Sequence, residues 1–429
     1  MTVYRFRATP LTPIHIGDGN SLAPEDYLIE GDHLVQFNRA ATLRDMKPET
    51  RRQLEERLDR NDFQAAQEIL RKSVQARHHR CRIQIGAESK ADLLKAVGNP
   101  LDPVVRQRAV QGFVRNPLTG QPFLPGSSIK GAIRTAVVSQ LLGTAEIARL
   151  HEQARPLVRF EERRRTERRE RQNKPPLNAQ EQERMLAETK IAAHAQLVER
   201  IALGYGGYNT ERRKVTERLE RDPFRLIRVS DADIGAEATR VDQVWLHLPG
   251  NAEGSAGIQM HYERLLSRAD TPGIHAFPVT VEIDDVAARH PEVRKLLGQA
   301  LDFDRLRQAC NTFYWRRMNI ELDRFFPARE EAWKNTYNKV KIGLAVRNAE
   351  SKLILTPPPW PNRLLLRVGR FSHFESLSVD DFRQGWNIQK RKYITEGSTR
   401  TLCRARFGND GQSTPVPFGW LLLELEGQS

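Results

Sequence analysis

Residues 122–134 read PFLPGSSIKGAIR, a loop turning into a helix with two glycines, two serines and two cations gathered around its start. Ser127 or Ser128 can cap a helix whose interior begins at Ile129, which leaves unpaired backbone N–H groups at an end carrying partial positive charge. Gly126, Ser127 and Ser128 can therefore hold a phosphate. Lys130 and Arg134 stand four apart and share one helix face, while Ile129, Ile133 and Val137 share an apolar one. Gly131 leaves room for a second backbone to come close. A nucleotide-triphosphate loop requires GxxxxGK followed by Ser or Thr; here Lys130 precedes Gly131, so that chemistry is a poor reading. The competing reading is an ordinary capped helix with surface cations.

Other groupings are capable of chemistry. RNA cleavage without metal needs a general base and a general acid around the attacking 2′-OH and the leaving oxygen. His15 and His373 supply them only if the fold brings the two ends of the chain together. Metal-assisted cleavage needs clustered carboxylates. Asp231 and Asp233 in VSDAD, and Glu282, Asp284 and Asp285 in EIDD, offer acidic atoms but read more simply as turn and cap residues. HHRC, with His78, His79 and Cys81, has no second pair at ligand spacing, so no metal is assigned and no cofactor is expected. GxSxG and HExxH patterns are absent.

The 429 residues carry 68 Lys and Arg against 54 Asp and Glu, a net charge of +14. That balance favours a polyanionic partner, nucleic acid ahead of acidic lipid, because no basic amphipathic terminal helix accompanies it. Cys81, Cys310 and Cys403 lie too far apart to suggest a disulfide framework. With no apolar run near the length of a membrane span and no leader pattern over Met1–Pro10, the expectation is a soluble, cytoplasmic protein without membrane contact.

These residues need elements to position them. VYRFRATPLTPIHIG reads as a strand bent by Pro10 and Pro13 before a GDGN turn. Leu54, Leu58, Phe63, Ala66, Leu70 and Val74 have helical spacing, a helical insertion beginning near Thr42. VVRQRAVQGFVRN returns to strand, and a helix is predicted from Ser127 towards Leu142. Residues 159–171 then hold seven arginines and four glutamates with no apolar stripe, an exposed helix or a disordered loop. Helix from Glu181 to Leu203 stops at GYGGYN; VDQVWLHL, GIQMHYERLL and FPVTVEID read as strands. Phe303, Leu306, Cys310 and Phe313 mark another helix, NRLLLRVG a strand, Ser378 a capping box, and GWLLLELE a terminal strand. Strands at both ends with helices between give an α+β class.

Three separated motifs, LTPIHIGDGN, PFLPGSSIKGAIR and PFGWLLLELE, occur in an order that resembles the RAMP proteins of CRISPR systems. The opening motif, EDYLIEGDHLVQFN and the length most resemble the fifth Csm subunit of type III-A effector complexes. The resemblance implies two ferredoxin-like (RRM-related) modules with antiparallel sheets and helical insertions: 1–265, with insertions at about 42–98 and 145–220, and 266–429. It implies a structural RNA-binding subunit capping the backbone filament near the crRNA 3′ end, with crRNA, other Csm backbone subunits and recruited cellular nucleases as partners. Gly126, Ser127, Ser128, Lys130, Gly131 and Arg134 match the loop-helix motif, and His15 and Gly17 the first turn. For His15 a packed strand-end histidine and an RNA contact both stand. RVGRFSHFESLSV departs from the glycine-rich loop of the family, although Arg370 and His373 can still touch RNA, with Phe371 or Phe374 stacking or in the core. QKRKY (Lys390, Arg391, Lys392) and Arg404 with Arg406 are further basic positions. Two functions remain open: a noncatalytic assembly subunit, and an endoribonuclease processing precursor crRNA.

Overall fold

A computed structural model describes residues 1–98, 109–248, 260–270, 276–297, 300–326, 346–347, 353–354, 357–383, 385–387, 392–406 and 413–429. Strand β1 (Thr2–Pro10) is followed by β2 (Gly17–Leu22), β3 (Tyr27–Glu30) and β4 (His33–Phe37). The GDGN segment is not a free turn: it lies inside β2, whose pairing register breaks between Gly17 and Ser21, with Gly19 at φ +87° absorbing the irregularity. Helices α1 (Arg39–Arg44), α2 (Pro48–Asp59) and α3 (Phe63–Lys72) form the expected insertion, closed by a small core of Met46, Leu54 and Ala66.

That insertion ends earlier than its sequence suggests. HHRC opens strand β5 (His79–Ile85), which pairs with β4, before α4 (Ala87–Gly98). His78 is buried beneath this edge, accepting from the Gln75 amide at 3.1 Å and facing Asp45 at 3.2 Å, a structural role. Next come β6 (Val110–Phe113), β7 (Phe123–Leu124) and α5 (Gly126–Leu141). Residues 104–108 of the predicted strand lie outside the described residues.

The arginine-rich segment is helical throughout. Helix α6 (Thr144–Arg171) pairs with α7 (Ala179–Ala202), whose Asn178 and Glu181 form a reciprocal capping box. Leu150, Ala154, Leu157 and Val158 of α6 bury against Ala193, Leu197 and Ile201 of α7, so its N-terminal half supplies the contact surface that residues 159–171 lack. Strands β8 (Gly206–Asn209) and β9 (Lys214–Glu217) close this insertion as a hairpin.

The main elements that follow, short helices and two-stranded ribbons aside, are β10 (Ile227–Val229), β11 (Ala232–Asp233), β12 (Thr239–His247), β13 (Met260–Leu265), β14 (Phe277–Ile283), helix α8 (Phe303–Phe325), β15 (Arg363–Arg367), β16 (Arg400–Arg406), β17 (Ser413–Pro417) and β18 (Trp420–Gln428). One sheet runs β10-β14-β1-β18-β15, every pair antiparallel. With α5 following β1 and α8 following β14, its first four strands have the βαββαβ connectivity of a ferredoxin-like unit, widened by β15 at the edge. Ile129, Ile133 and Val137 of α5 and Leu306, Cys310 and Tyr314 of α8 are buried in one core with Phe6, Val279, Val281 and Leu421–Leu423. Each such side chain contributes roughly 1.5–3 kcal/mol of burial. The Tyr314 hydroxyl donates to the Ala132 carbonyl at 3.0 Å, tying the helices together.

The α+β class expected from the sequence is the one observed. The nine-stranded sheet, β2-β6-β13-β12-β5-β4-β3 with β16 and β17 joined through β12, is mixed rather than antiparallel, because β12–β5 and β13–β6 run parallel. Both sheets draw strands from each side of residue 265, so no division into separate sheets occurs there. A buried ion network ties the far end of the chain in: Glu321 of α8 binds Arg367 of β15 and Arg400 of β16, and Arg400 reaches Glu375 at 3.2 Å. Ser378 does not cap a helix; its hydroxyl donates to the Phe374 carbonyl.

Candidate nucleic-acid interface

The three motifs that lie apart in sequence meet at one corner. The Gly419 amide donates to the Pro13 carbonyl at 2.8 Å, Arg370 N–H to His15 at 2.9 Å, and Val114 N–H to Ile16 at 2.8 Å. Phe123 N–H in turn donates to Val114 at 3.4 Å, so a continuous backbone ladder leads from the first turn to the residues preceding α5. Glycine is required at two of these positions. Gly369 has φ +89° and a Cβ there would stand 2.5 Å from the His15 carbonyl oxygen; Gly419 has φ +98° and abuts the Val368 carbonyl.

His15 is buried, its Nδ1 2.6 Å from the Glu263 carbonyl oxygen and its ring edge-on to Tyr262 at 4.8 Å. Burial lowers its pKa to about 4, and Arg370 adds to that, partly offset by the Glu263 contact and Asp18. The ring is therefore neutral at pH 7. The packed-histidine reading holds for most of the ring, with one qualification at its far nitrogen: Nε2 has no hydrogen-bond partner, and a Cβ on exposed Gly17 would sit 3.1 Å from it. Arg370 is exposed beside it, its guanidinium 5.8 Å from the centre of the Tyr262 ring and without an acidic partner among the described residues. Phe371 is half-buried and packs on the core, against Tyr262 and Phe418 at 4.8 and 4.9 Å. His373, at φ +58°, accepts from the Thr401 amide at 3.4 Å; burial, then Arg367 and Arg400, hold its pKa well below the usual range.

At the start of α5 the anion-holding end already has an occupant. Asp231 accepts from the Gly126 amide at 2.7 Å, and Ser128 N–H donates to Pro125 at 3.0 Å. A Cβ on Gly126 would stand 2.2 Å from the Val229 carbonyl oxygen, so this glycine serves close packing against β10. Neither Ser127 nor Ser128 caps the helix; the N-cap is Pro125, and Ser127 is exposed. Arg134 also turns inward: its Nη1 donates to both carboxylate oxygens of Asp222, at 3.0 and 3.1 Å, its Nε bonds Glu199, and the guanidinium lies 4.9 Å from the Phe224 ring centre. The expected pairing of Lys130 with Arg134 on an open face is thus replaced by Lys130 alone, half-buried, its pKa lowered by desolvation despite Asp222 nearby. Gly131 is exposed with nothing within 4 Å of a Cβ position, so no neighbour within the chain requires it.

Asp233 and Asp284 are turn and cap residues, as their positions suggested, whereas Glu282 lies within β14, 3.6 Å from Arg228. Asp233 accepts from Gly235 N–H at 3.0 Å, Asp284 from Val286 N–H at 3.0 Å, and Asp285 pairs with the N-terminus and Arg289. Among the described residues no three His, Cys, Asp or Glu groups are arranged to hold a metal. Arg404 pairs with Glu88 at 3.1 Å; Lys390 and Arg391 lie outside the described residues. The residues that sequence reasoning missed are those supporting the corner: Tyr262 beneath Arg370, and Glu263, which receives Arg115, the Thr239 hydroxyl at 2.6 Å and the Phe113 amide at 2.8 Å. Their only signal was the strand character of MHYERL. Among the described residues no helix is long and apolar enough to cross a membrane.

A family model described as the RAMP superfamily matches residues 7–341. No curated protein matches. A chain in the cryo-EM structure of a Csm–crRNA–target RNA ternary complex of a type III-A CRISPR-Cas system aligns over 99% of this chain and 100% of its own, with TM-score 0.58 and 18% identity. The crystal structure of T. onnurineus Csm5 aligns over 98% and 99%, with TM-score 0.48 and 19% identity.

Proposed function

The chain belongs to the RAMP superfamily, and from that footing we propose that it is a noncatalytic RNA-binding subunit of a type III-A CRISPR (Csm) ribonucleoprotein. In this reading it caps the backbone filament near the crRNA 3′ end, supports crRNA maturation and antiviral defence, and works in the cytoplasm beside other Csm subunits and recruited nucleases. The observation that carries the proposal is the end-to-end fold likeness to a chain of the Csm–crRNA–target RNA complex, with no large part of either chain left over. The guide backbone crosses Gly17 and Arg370, where His15 Nε2 and the Arg370 guanidinium are unclaimed. It continues over Ser127, Ser128, Lys130 and Gly131 of α5. Gly126 and Arg134 support α5 from beneath and His15 supports the first turn, whereas His373 packs against the Thr401 amide. Contacts of this kind grip phosphates and leave base sequence unread.

The endoribonuclease alternative requires a proton donor for the leaving 5′-oxygen. Burial holds both histidines neutral at pH 7, so neither stands ready as that donor, which supports the assembly reading. Incubating the pure chain with labelled repeat RNA, with and without divalent metal, separates the two: intact RNA supports the assembly role, and site-specific cuts abolished by His15→Ala or His373→Ala overturn it. Co-purification with the neighbouring subunits, followed by sequencing of bound RNA, tests membership; short fragments with one repeat-derived end are expected.

A further inference from the structure

We propose that the helical insertion carries a second site for single-stranded RNA, in a cleft of about 390 Å³ between the C-terminal half of α6 and the β8–β9 hairpin. Arg159, Arg163, Arg164 and Arg213 line it, together with Phe160 and Tyr208. Arg159 and Arg163 are four apart on α6 and share its exposed face. Neither their guanidinia nor that of Arg213 has an acidic partner among the described residues, whereas Arg164 contacts Glu161 at 3.3 Å. Glu167 is the one acidic residue on the lining. A neighbouring cleft between α6 and α7 is basic too but differs in kind: there Arg165 and Arg184 both lean on Glu188, at 3.5 and 3.0 Å, and no aromatic side chain among the described residues lines it.

The cleft is built rather than incidental. Gln153 of α6 accepts from the Tyr208 amide at 3.0 Å, and Tyr208 and Val215 pack on the α6–α7 core, which fixes the hairpin against the helix. Arg213 stands in the hairpin turn at φ +47°, a conformation glycine holds at lower cost; the turn keeps an arginine there, facing the arginines of α6. Cations interleaved with aromatic faces match a strand of phosphates and bases, the first held by charge and the second by stacking. An acidic peptide would meet the cations and leave the Phe160 ring without a use. The inference goes beyond the corner described above and rests on the RNA-binding reading only for the class of partner.

The test measures binding of a labelled oligouridylate of roughly 20 nucleotides to the full chain between about 50 and 200 mM salt. Arg159→Ala/Arg163→Ala/Arg213→Ala is expected to make the dependence of log K on log salt shallower by about 2, at roughly 0.7 for each phosphate that is no longer neutralised. Phe160→Ala is expected to weaken binding roughly tenfold, and photocrosslinks from 4-thiouridine are expected on peptides containing Phe160 and Tyr208. All three arginines are exposed, so the triple variant folds; an unchanged melting temperature checks this. An unchanged slope overturns the proposal, as does a cleft that binds polyglutamate and not oligouridylate. Arg370→Ala, run in parallel, separates this inference from the proposed function: weakened binding at Arg370 with none in the triple variant sinks the cleft alone, and the reverse pattern sinks the corner alone.

Discussion

The Arg370 amide donates to the His15 carbonyl at 2.9 Å, so the first turn of the chain and the loop after β15 form one surface although nearly the whole sequence separates them. The carbonyl of His15 is also what Gly369 must approach without a side chain. The corner is therefore fixed by backbone contacts, and its exposed side chains are free to act on something outside the chain.

Arg370→Ala removes an exposed cation that rests on Tyr262 and has no acidic partner among the described residues. Melting temperature is expected to stay the same, while the salt dependence of guide-RNA binding becomes shallower by about 0.7. A fluorescence-anisotropy salt titration checks this.

Gly369→Ala combines a left-handed backbone with a Cβ 2.5 Å from the His15 carbonyl oxygen. The expected cost is about 3 kcal/mol, the sum of backbone strain and overpacking. Denaturant unfolding measures it, and a cost under about 1 kcal/mol, the low end for overpacking alone, would mean that the corner relaxes freely.

The His15 imidazole has a folded pKa of about 4 against 6.5 when unfolded. Above pH 6.5 neither state binds the proton; between 6.5 and about 4 the unfolded chain takes it up and the folded chain does not. Stability therefore rises with pH across that window and is lost on acidification, by about 3 kcal/mol from this group. His373 shifts in the same direction. His15→Gln should flatten the slope of unfolding free energy against pH between about 4 and 6.5, and an unaltered slope would contradict the buried, neutral assignment.

Arg134 and Lys130 should separate cleanly. Arg134→Ala leaves Asp222 and Glu199 without their cation and is expected to cost about 2 kcal/mol of stability. Lys130→Ala is expected to leave stability nearly unchanged and to reduce the RNA salt slope by about 0.7. Thermal melts and salt titrations on both variants decide the matter; the opposite pattern would return Arg134 to the RNA face.

Periodicity made much of this architecture legible. Helix α5 begins at Gly126 and ends at Leu141, close to the span predicted from Ser127 to Leu142, because Ile129, Ile133 and Val137 fix its buried face. The terminal strands were legible for the same reason, their apolar residues alternating or running together. What the sequence hid was long-range pairing. Nothing near Arg134 announces Asp222 or Glu199, and nothing near Gly126 announces Asp231, so a face rich in anion-binding residue types read as open when acidic side chains from other elements already engage part of it. The β5 strand was lost inside a helical insertion because HHRCRIQI is short and polar at its start. Tyr262 and Glu263, which support the corner, sit in a strand whose buried polar residues carry no periodic sign of their partners.

The central claim is that guide RNA lies across the corner formed by Gly17 and Arg370 and over the exposed start of α5. The most direct measurement is photocrosslinking in a particle reconstituted from this chain, the neighbouring subunits and a crRNA bearing photoreactive nucleotides near its 3′ end. Crosslinks concentrated on peptides containing Gly17, Ser127 to Gly131 and Arg370 are the predicted result. A particle that assembles with this chain present, yet leaves those peptides unlabelled while the same nucleotides mark other subunits, would contradict it.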